Sequence, residues 1–114
     1  MSSVATQAKL WAVQRISAMV LAVCVVVHLV TIVYAVRGGL GGAEILDRTR
    51  GNLGVAAFYG VFVLACAVHA PIGLARIAEE WLGWGSRASN AAALSFGAIL
   101  LAGGMRAVYA VVAA

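Results

Sequence analysis

The sequence predicts an all-α membrane protein with three transmembrane helices. Hydrophobic residues make up 64% of the 114 residues, charged residues only 11%, and the mean hydropathy is +1.02. A soluble domain of this length would lack the polar surface needed to cover its core, so lipid is the expected solvent. Three apolar stretches are each long enough to cross a hydrocarbon layer of about 30 Å, which takes about 20 helical residues.

The first predicted helix covers residues from about 12 to 36. Residues 16–36 carry no charge, and the indole of Trp11 suits the membrane interface that precedes them. Lys9 and Arg15 ahead of an apolar run also fit a secretory signal sequence, but the apolar run of a signal spans only about 7–15 residues. We therefore expect a membrane helix here.

Two further membrane helices follow. A glycine-rich segment at 38–42 ends the first helix, and residues 43–50 are predicted to form a short surface helix. Asn52 is placed to cap a second helix over about residues 53–80, after which Trp81 and Trp84 mark the interface. The third helix is predicted over about residues 88–112, where Arg106 is the only charged side chain. Residues 1–114 then form a single transmembrane domain.

The charges do not decide the orientation of the chain. The net charge of +4 comes from basic residues placed singly at helix ends, which favours anchoring at lipid headgroups over nucleic-acid binding. The positive-inside rule gives no answer, because each side of the membrane receives half of the basic residues. One side holds Lys9, Arg15, Arg76 and Arg87, and the other holds Arg37, Arg48, Arg50 and Arg106.

The two histidines, His28 and His69, both lie inside charge-free stretches. A polar ring at membrane depth is costly without a partner, and imidazole is a common ligand of haem iron. His28 lies past the midpoint of the first helix and His69 past that of the second, toward opposite membrane faces, which predicts a separation of roughly 10 Å. Two axial nitrogens of one iron are only about 4 Å apart. The two rings are therefore not expected to share an iron, and any opposite ligand would come from another subunit.

Each histidine also has a plainer interpretation, a hydrogen bond to a backbone carbonyl of a neighbouring helix. Pro71 frees the carbonyl of Ala67 close to His69, and the resulting kink fits either a cofactor pocket or ordinary packing. Cys24 and Cys66 are interpreted as small packing residues, although the sequence does not exclude a disulfide between them.

Arg15 is a candidate binding residue at the membrane boundary. Its guanidinium could hold a haem propionate or donate to a quinone carbonyl. The alternative is that the side chain extends to lipid phosphate.

Two segments resemble a known family. Residues 11–18 (WAVQRISA) resemble the start of helix 1 in the cytochrome b membrane-anchor subunits of succinate:quinone oxidoreductases and fumarate reductases, where histidine and arginine precede serine or threonine and glycine. Residues 69–76 (HAPIGLAR) resemble that family's helix 2 motif of histidine, three residues, glycine, an apolar residue, arginine and histidine. The order and the spacing of the motifs agree as well.

The resemblance implies a fold, cofactors and site residues. The three helices would form half of a two-subunit helical bundle, with His69 as an axial ligand of haem b. Arg15, with Ser17 nearby, would border the quinone pocket and the haem propionates, with Trp11 and Arg76 as further cofactor contacts. His28 resembles a helix 1 histidine that the two-haem members have and the single-haem members lack, so one or two haems would be shared with the second membrane subunit. The opposed depths of the two histidines agree with two haems, and we expect the assembled complex to hold two.

Three positions depart from the family's motifs. Gln14 stands where the family often has histidine, Ala18 where it has glycine, and the pair at 75–76 (Ala-Arg) where it has arginine and histidine. These departures concern the quinone contacts and leave the expected fold unchanged.

The resemblance further implies a multi-pass subunit of the bacterial inner membrane, with its N-terminus and second loop on the cytoplasmic side. Its partners would be a second membrane-anchor subunit, an iron–sulfur subunit and a flavoprotein subunit, and electrons would pass from succinate to quinone. The chain has no constellation of catalytic acid, base or nucleophile, so we expect an electron-transfer component. A haem-free anchor that still binds quinone is one alternative. A small transporter subunit is another, although all four acidic residues lie outside the charge-free stretches of the three predicted helices, the second of which covers residues 53–75.

Overall fold

The computed structural model describes residues 3–114, which form four helices and no strand. The prediction of an all-α fold with three long apolar helices is confirmed, since three of the helices have the length and composition to cross a membrane. Residues 1 and 2 of the predicted domain lie outside the described residues. The helices are α1 (Val4–Arg37), α2 (Gly42–Thr49), α3 (Leu53–Glu80) and α4 (Ser86–Val112).

Helix α1 begins at Val4, earlier than the predicted start near residue 12. The Oγ of Ser3 accepts a hydrogen bond of 3.1 Å from the backbone N–H of Thr6 and caps the helix. With 34 residues, α1 is about 51 Å long, so it extends well beyond a hydrocarbon layer of about 30 Å. The small polar residues that precede the apolar run are therefore helical.

The short surface helix and the cap of α3 are confirmed. The Oδ1 of Asn52 accepts a hydrogen bond of 3.1 Å from the N–H of Val55 at the start of α3. Helix α2 and the turn after it contact the end of α4, where the hydroxyl of Thr49 donates to the carbonyl of Val111 at 2.6 Å. The backbone N–H of Gly51 donates to the carbonyl of Val112 at 2.8 Å.

Helix α3 lies between α1 and α4 and packs most extensively against α4. The α4 side of this contact carries small residues, a pattern that lets membrane helices approach closely. A Cβ atom added to Gly97 would lie 2.6 Å from the Cγ of Pro71, and one added to Gly104 would lie 2.5 Å from a methyl carbon of Val63. The buried residues Ser89 and Ala93 continue the same face of α4.

Pro71 belongs to this α3–α4 contact. Helix α3 continues through it, and the carbonyl of Ala67 that Pro71 deprives of its donor lies 3.4 Å from the Cβ position of Gly97. His69 lies two residues away from both, which is about 200° around the helix. Of the two interpretations of the proline, the structure favours packing.

The three long helices leave most of their apolar side chains exposed. Val23, Val30 and Leu94 are 64%, 63% and 72% exposed, and the buried residues in each long helix are few. An apolar surface of this extent requires lipid or another apolar subunit around it. Cys24 and Cys66 are both free thiols, so the disulfide that the sequence left open is not formed.

Candidate functional site

The contact between α1 and α3 carries a stripe of polar side chains. On α1 the positions 14, 17, 21, 24 and 28 follow the alternating spacing of three and four residues that keeps side chains on one helix face. Ser17 and Cys24 are buried, and Gln14, Leu21 and His28 are half-buried. This stripe was not predicted, although its spacing is visible in the sequence. We call it the α1 seam.

The first layer of the α1 seam joins Ser17 to His69. The Oγ of Ser17 lies 3.2 Å from the Nδ1 of His69 on α3, and it also donates to the carbonyl of Gln14 at 3.0 Å. Ser17 is only 7% exposed, so bulk water does not compete for these contacts. Nδ1 is the ring nitrogen of His69 that takes part in a hydrogen bond. The other ring nitrogen, Nε2, has no hydrogen-bond partner among residues 3–114.

One turn from this layer, Gln14 reaches across to α3. Its amide nitrogen lies 3.3 Å from the position that a Cβ atom would take on Gly73. Its Oε1 is buried without a hydrogen-bond partner in the part of the chain that the structure describes. An unpaired acceptor that is buried in this way is costly to the fold.

The second layer of the α1 seam surrounds His28. The Nδ1 of His28 lies 3.0 Å from the hydroxyl oxygen of Tyr59 on α3. The imidazole also meets the rings of Tyr59 and Phe62 edge to face, with centroids 5.5 and 5.7 Å away. Phe58 packs against both of these rings. The contact with Tyr59 was not predicted, because partners on separate helices depend on the packing register.

The two layers lie far apart along the bundle. From Ser17 to His28 the helix advances by 11 residues, which is about 16 Å and more than the predicted 10 Å. Opposite ligands of one iron must be within about 4 Å of each other. The two histidines of this chain therefore cannot hold one iron between them.

Beside His28, an apolar groove of about 590 Å³ runs between α3 and α4. Its lining includes Phe62, Gly103 and Gly104, with Ile45 and Thr49 of α2 at one end. The hydroxyl of Thr49 is already bonded to a backbone carbonyl of α4, so the polar groups of the groove are mainly those of His28 and Tyr59.

Arg15 and Trp11 form a separate pair on the outer side of α1. The guanidinium carbon of Arg15 lies 5.4 Å from the ring centroid of Trp11, and the indole is 64% exposed. Arg15 is also exposed, and it has no ion pair or hydrogen bond within residues 3–114. Since Ser17 lies about 200° around the helix from Arg15, the structure does not bring these two predicted site residues together.

Arg76 lies at the far end of α3, about 10 Å beyond His69 along the helix. It is exposed and lines a groove of about 680 Å³ between the beginning of α1, the end of α3 and the beginning of α4. Glu79 and Asn90 also line this groove, so it is much more polar than the groove beside His28. Arg76 and Arg15 thus face different surroundings.

The described residues contain no cluster of three or more histidine, cysteine or acidic side chains that could hold a metal ion. Haem iron makes a smaller demand on the protein, because the porphyrin supplies four nitrogens and the protein only the axial ligands. A single histidine with one unpartnered ring nitrogen meets that demand.

Comparison with known families gives one match. A family model described as the succinate dehydrogenase/fumarate reductase transmembrane subunit matches residues 1–112, which include all four helices. No curated protein and no solved structure gives a significant match. The match confirms the family resemblance found in the two sequence motifs.

Proposed function

The chain belongs to the family of succinate dehydrogenase/fumarate reductase transmembrane subunits, and from this premise we propose that it is a haem b- and quinone-binding anchor. In this role it passes electrons between an iron–sulfur subunit and the membrane quinone pool. The observation that carries the proposal is the state of His69, whose Nδ1 is bonded to Ser17 while its second ring nitrogen has no partner in residues 3–114.

His69 is the proposed axial ligand of haem b. It lies inside α3 at a depth where an unpartnered ring nitrogen is costly, and iron coordination would satisfy that nitrogen. When bound, haem supplies a one-electron carrier in a medium of low dielectric constant. Because His28 lies about 16 Å from the Ser17–His69 layer along α1, a second protein ligand to this haem would come from the other membrane subunit.

The assignment of His28 to a second haem stays a prediction. The groove beside it offers apolar space, but the Nδ1 of His28 is engaged by the hydroxyl of Tyr59. Ligation through the other ring nitrogen requires that Nδ1 carry the proton and donate it to that hydroxyl.

Arg15 and Trp11 form the proposed quinone contact. The exposed guanidinium presents several N–H donors, and the Trp11 ring beside it keeps the planar group at the membrane boundary. A quinone that diffuses in the lipid reaches this outer side of α1 directly, and its carbonyl oxygen would accept from Arg15. Ser17, which the family resemblance grouped with Arg15, serves His69 instead.

The polar groove that contains Arg76 is the proposed contact with the iron–sulfur subunit. It opens at the end of the bundle that holds the beginning of α1 and the α3–α4 turn, the side that the family resemblance makes cytoplasmic. In a bacterial inner membrane the flavoprotein and iron–sulfur subunits would dock there. Arg76 would also be a basic residue available to a haem propionate from this end.

A haem-free anchor is the second candidate function, and one observation favours it. Each histidine already has a hydroxyl partner within the chain, Ser17 for His69 and Tyr59 for His28. Two hydrogen-bonded histidines can therefore be explained as packing residues that link α1 to α3.

The test is purification of the complex from membranes through an affinity tag on this chain. We expect a flavoprotein and an iron–sulfur subunit to copurify, together with the absorbance bands of low-spin b-type haem that succinate reduces. A complex that reduces quinone without these bands would support the haem-free anchor. Purification without a flavoprotein or an iron–sulfur subunit would contradict both candidates.

A further inference from the structure

We propose that Ser17 is a positioning residue for His69, which fixes the tautomer of the imidazole so that its Nε2 carries the lone pair. This inference rests on the proposed haem ligation by His69. In this role Ser17 raises the electron density on the Nε2 of His69, independently of any contact with quinone.

The hydroxyl proton of Ser17 determines which nitrogen of His69 carries the imidazole proton. A serine hydroxyl has a single proton, and Ser17 donates it to the carbonyl of Gln14 at 3.0 Å, within its own helix. The same oxygen lies 3.2 Å from the Nδ1 of His69, so it can only accept there. Nδ1 therefore carries the imidazole proton, and the neutral ring leaves Nε2 as the acceptor.

Burial makes this arrangement persistent. Ser17 is 7% exposed, and Cys24, one heptad further along the same face, is 4% exposed, so α1 presses this face against α3. The bond to the Gln14 carbonyl holds the serine in one rotamer. The Nδ1 of His69 belongs to α3 and the Oγ of Ser17 to α1, so the orientation of the imidazole ring depends on the packing of α1 against α3.

A hydrogen bond from the second nitrogen of a metal-bound histidine raises the basicity of the ligand. Its loss makes the imidazole a weaker donor, which stabilises oxidised iron less and raises the reduction potential. The hydrogen bond to Ser17 thus lowers the reduction potential of the haem that His69 would bind.

The test compares Ser17→Ala with Ser17→Thr and with a control, Ser89→Ala. Ser89 is fully buried in α4, and its Oγ has no hydrogen-bond partner within the described part of the chain. Removal of its hydroxyl thus controls for the loss of a buried serine as such. The readouts are the midpoint potential of the haem in redox titration and the haem content per complex.

In Ser17→Ala we expect a higher midpoint potential and about 10- to 100-fold weaker haem retention, with low-spin bands in the remaining haem. Ser17→Thr keeps a hydroxyl and is expected to restore the wild-type potential, whereas Ser89→Ala is expected to leave it unchanged. An unchanged potential and haem content in Ser17→Ala, or an equal shift in Ser89→Ala, would overturn the inference. A wild-type complex without b-type bands, or a His69→Ala complex that keeps them, would instead overturn the proposed ligation.

Discussion

The two histidine layers of the α1 seam use the same chemistry in different surroundings. In both, an Nδ1 atom on one helix lies close to a hydroxyl oxygen on the other, at 3.2 Å for His69 and 3.0 Å for His28. The serine beside His69 has already given its proton to a backbone carbonyl. The tyrosine beside His28 has no other hydrogen-bond partner in residues 3–114.

This difference bears on which ring nitrogen of each histidine is free to bind iron. The hydroxyl of Tyr59 keeps its proton available, and if it donates that proton to the Nδ1 of His28, the proton of that imidazole sits on Nε2. The tautomer proposed for His69 is the opposite one. On this arrangement of protons only His69 offers a lone pair to iron, so the comparison predicts one haem, held by His69, in place of the two haems expected from the sequence.

The largest effect that tests the comparison is the loss of haem in His69→Ala. Removal of the axial nitrogen is expected to abolish the low-spin b-type bands, because the iron loses a protein ligand in an apolar cavity. His28→Ala is the matched control, and its bands and haem content are expected to match the wild type. The measurement is haem extraction and reduced-minus-oxidised spectroscopy on the purified complex.

Two outcomes would reverse this assignment. A His69→Ala complex with full haem content and unchanged bands would exclude ligation by His69. Two haems per wild-type complex, with one lost in His28→Ala, would show that the predicted two-haem arrangement holds and that the proton of Tyr59 lies elsewhere.

The next effect concerns α4, which supports α3 behind both layers. Gly97→Ala places a methyl group 2.6 Å from the rigid ring of Pro71, and Gly104→Ala places one 2.5 Å from a branched carbon of Val63. Each is expected to lower the free energy of unfolding in detergent by about 1–3 kcal/mol. Gly97→Ala lies against the turn next to His69, so it alone is expected to broaden the haem bands.

Gly103→Ala is the control for the two glycine variants. No atom lies within 4 Å of the position its methyl group would take, so its stability is expected to match the wild type. Equal destabilisation by all three alanines would show that helix backbone effects, and not the contact with α3, limit these positions.

A third prediction tests whether Arg15 acts apart from the histidine layers. Arg15→Lys keeps the charge but loses the planar fork, so we expect kcat/KM for quinone to fall about tenfold, or about 1.4 kcal/mol. The haem bands are expected to stay unchanged. Arg106→Lys, an exposed arginine near the other end of the bundle, is the control. Wild-type quinone kinetics in Arg15→Lys would favour the alternative that Arg15 extends to lipid phosphate.

The smallest effect is expected in the His28 layer. Tyr59→Phe removes the hydroxyl bonded to His28 and is expected to cost about 0.6 kcal/mol, a common value for a side-chain hydrogen bond between membrane helices. Haem content should not change. Tyr109→Phe is the control for the loss of a tyrosine hydroxyl as such, because Tyr109 is 64% exposed. A loss of haem in Tyr59→Phe would mean that this layer holds iron after all.

Much of the fold could be predicted because lipid imposes simple requirements. Chain segments that cross the hydrocarbon layer must satisfy their backbone groups internally, so apolar length alone indicates the helices. The bounds of α3 agree with the prediction, and Asn52 caps it as expected. The start of α1 was not predicted because its first turns lie outside the apolar run. There the cap by Ser3 determines where the helix begins.

The candidate site was only partly predictable. The importance of His28 and His69 follows from the cost of an imidazole in lipid, which requires no knowledge of packing. The separation of Arg15 from Ser17 follows from helix geometry and was available in the sequence. The contacts of Tyr59 with His28 and of Gly97 with Pro71 could not be predicted, because they depend on which faces of separate helices meet.

The sequence by itself determined the number of membrane helices, the depth of each histidine and the family to which the chain belongs. Only the tertiary structure decided that Ser17 meets His69, that Tyr59 meets His28 and that Pro71 packs against α4. The physical reason is that apolar side chains surround the membrane-crossing parts of α1 and α3 on all sides, so hydrophobicity does not show which face of α3 meets the polar stripe of α1. That choice depends on small residues, close approach and a few hydrogen bonds between helices, which act only once the helices are packed.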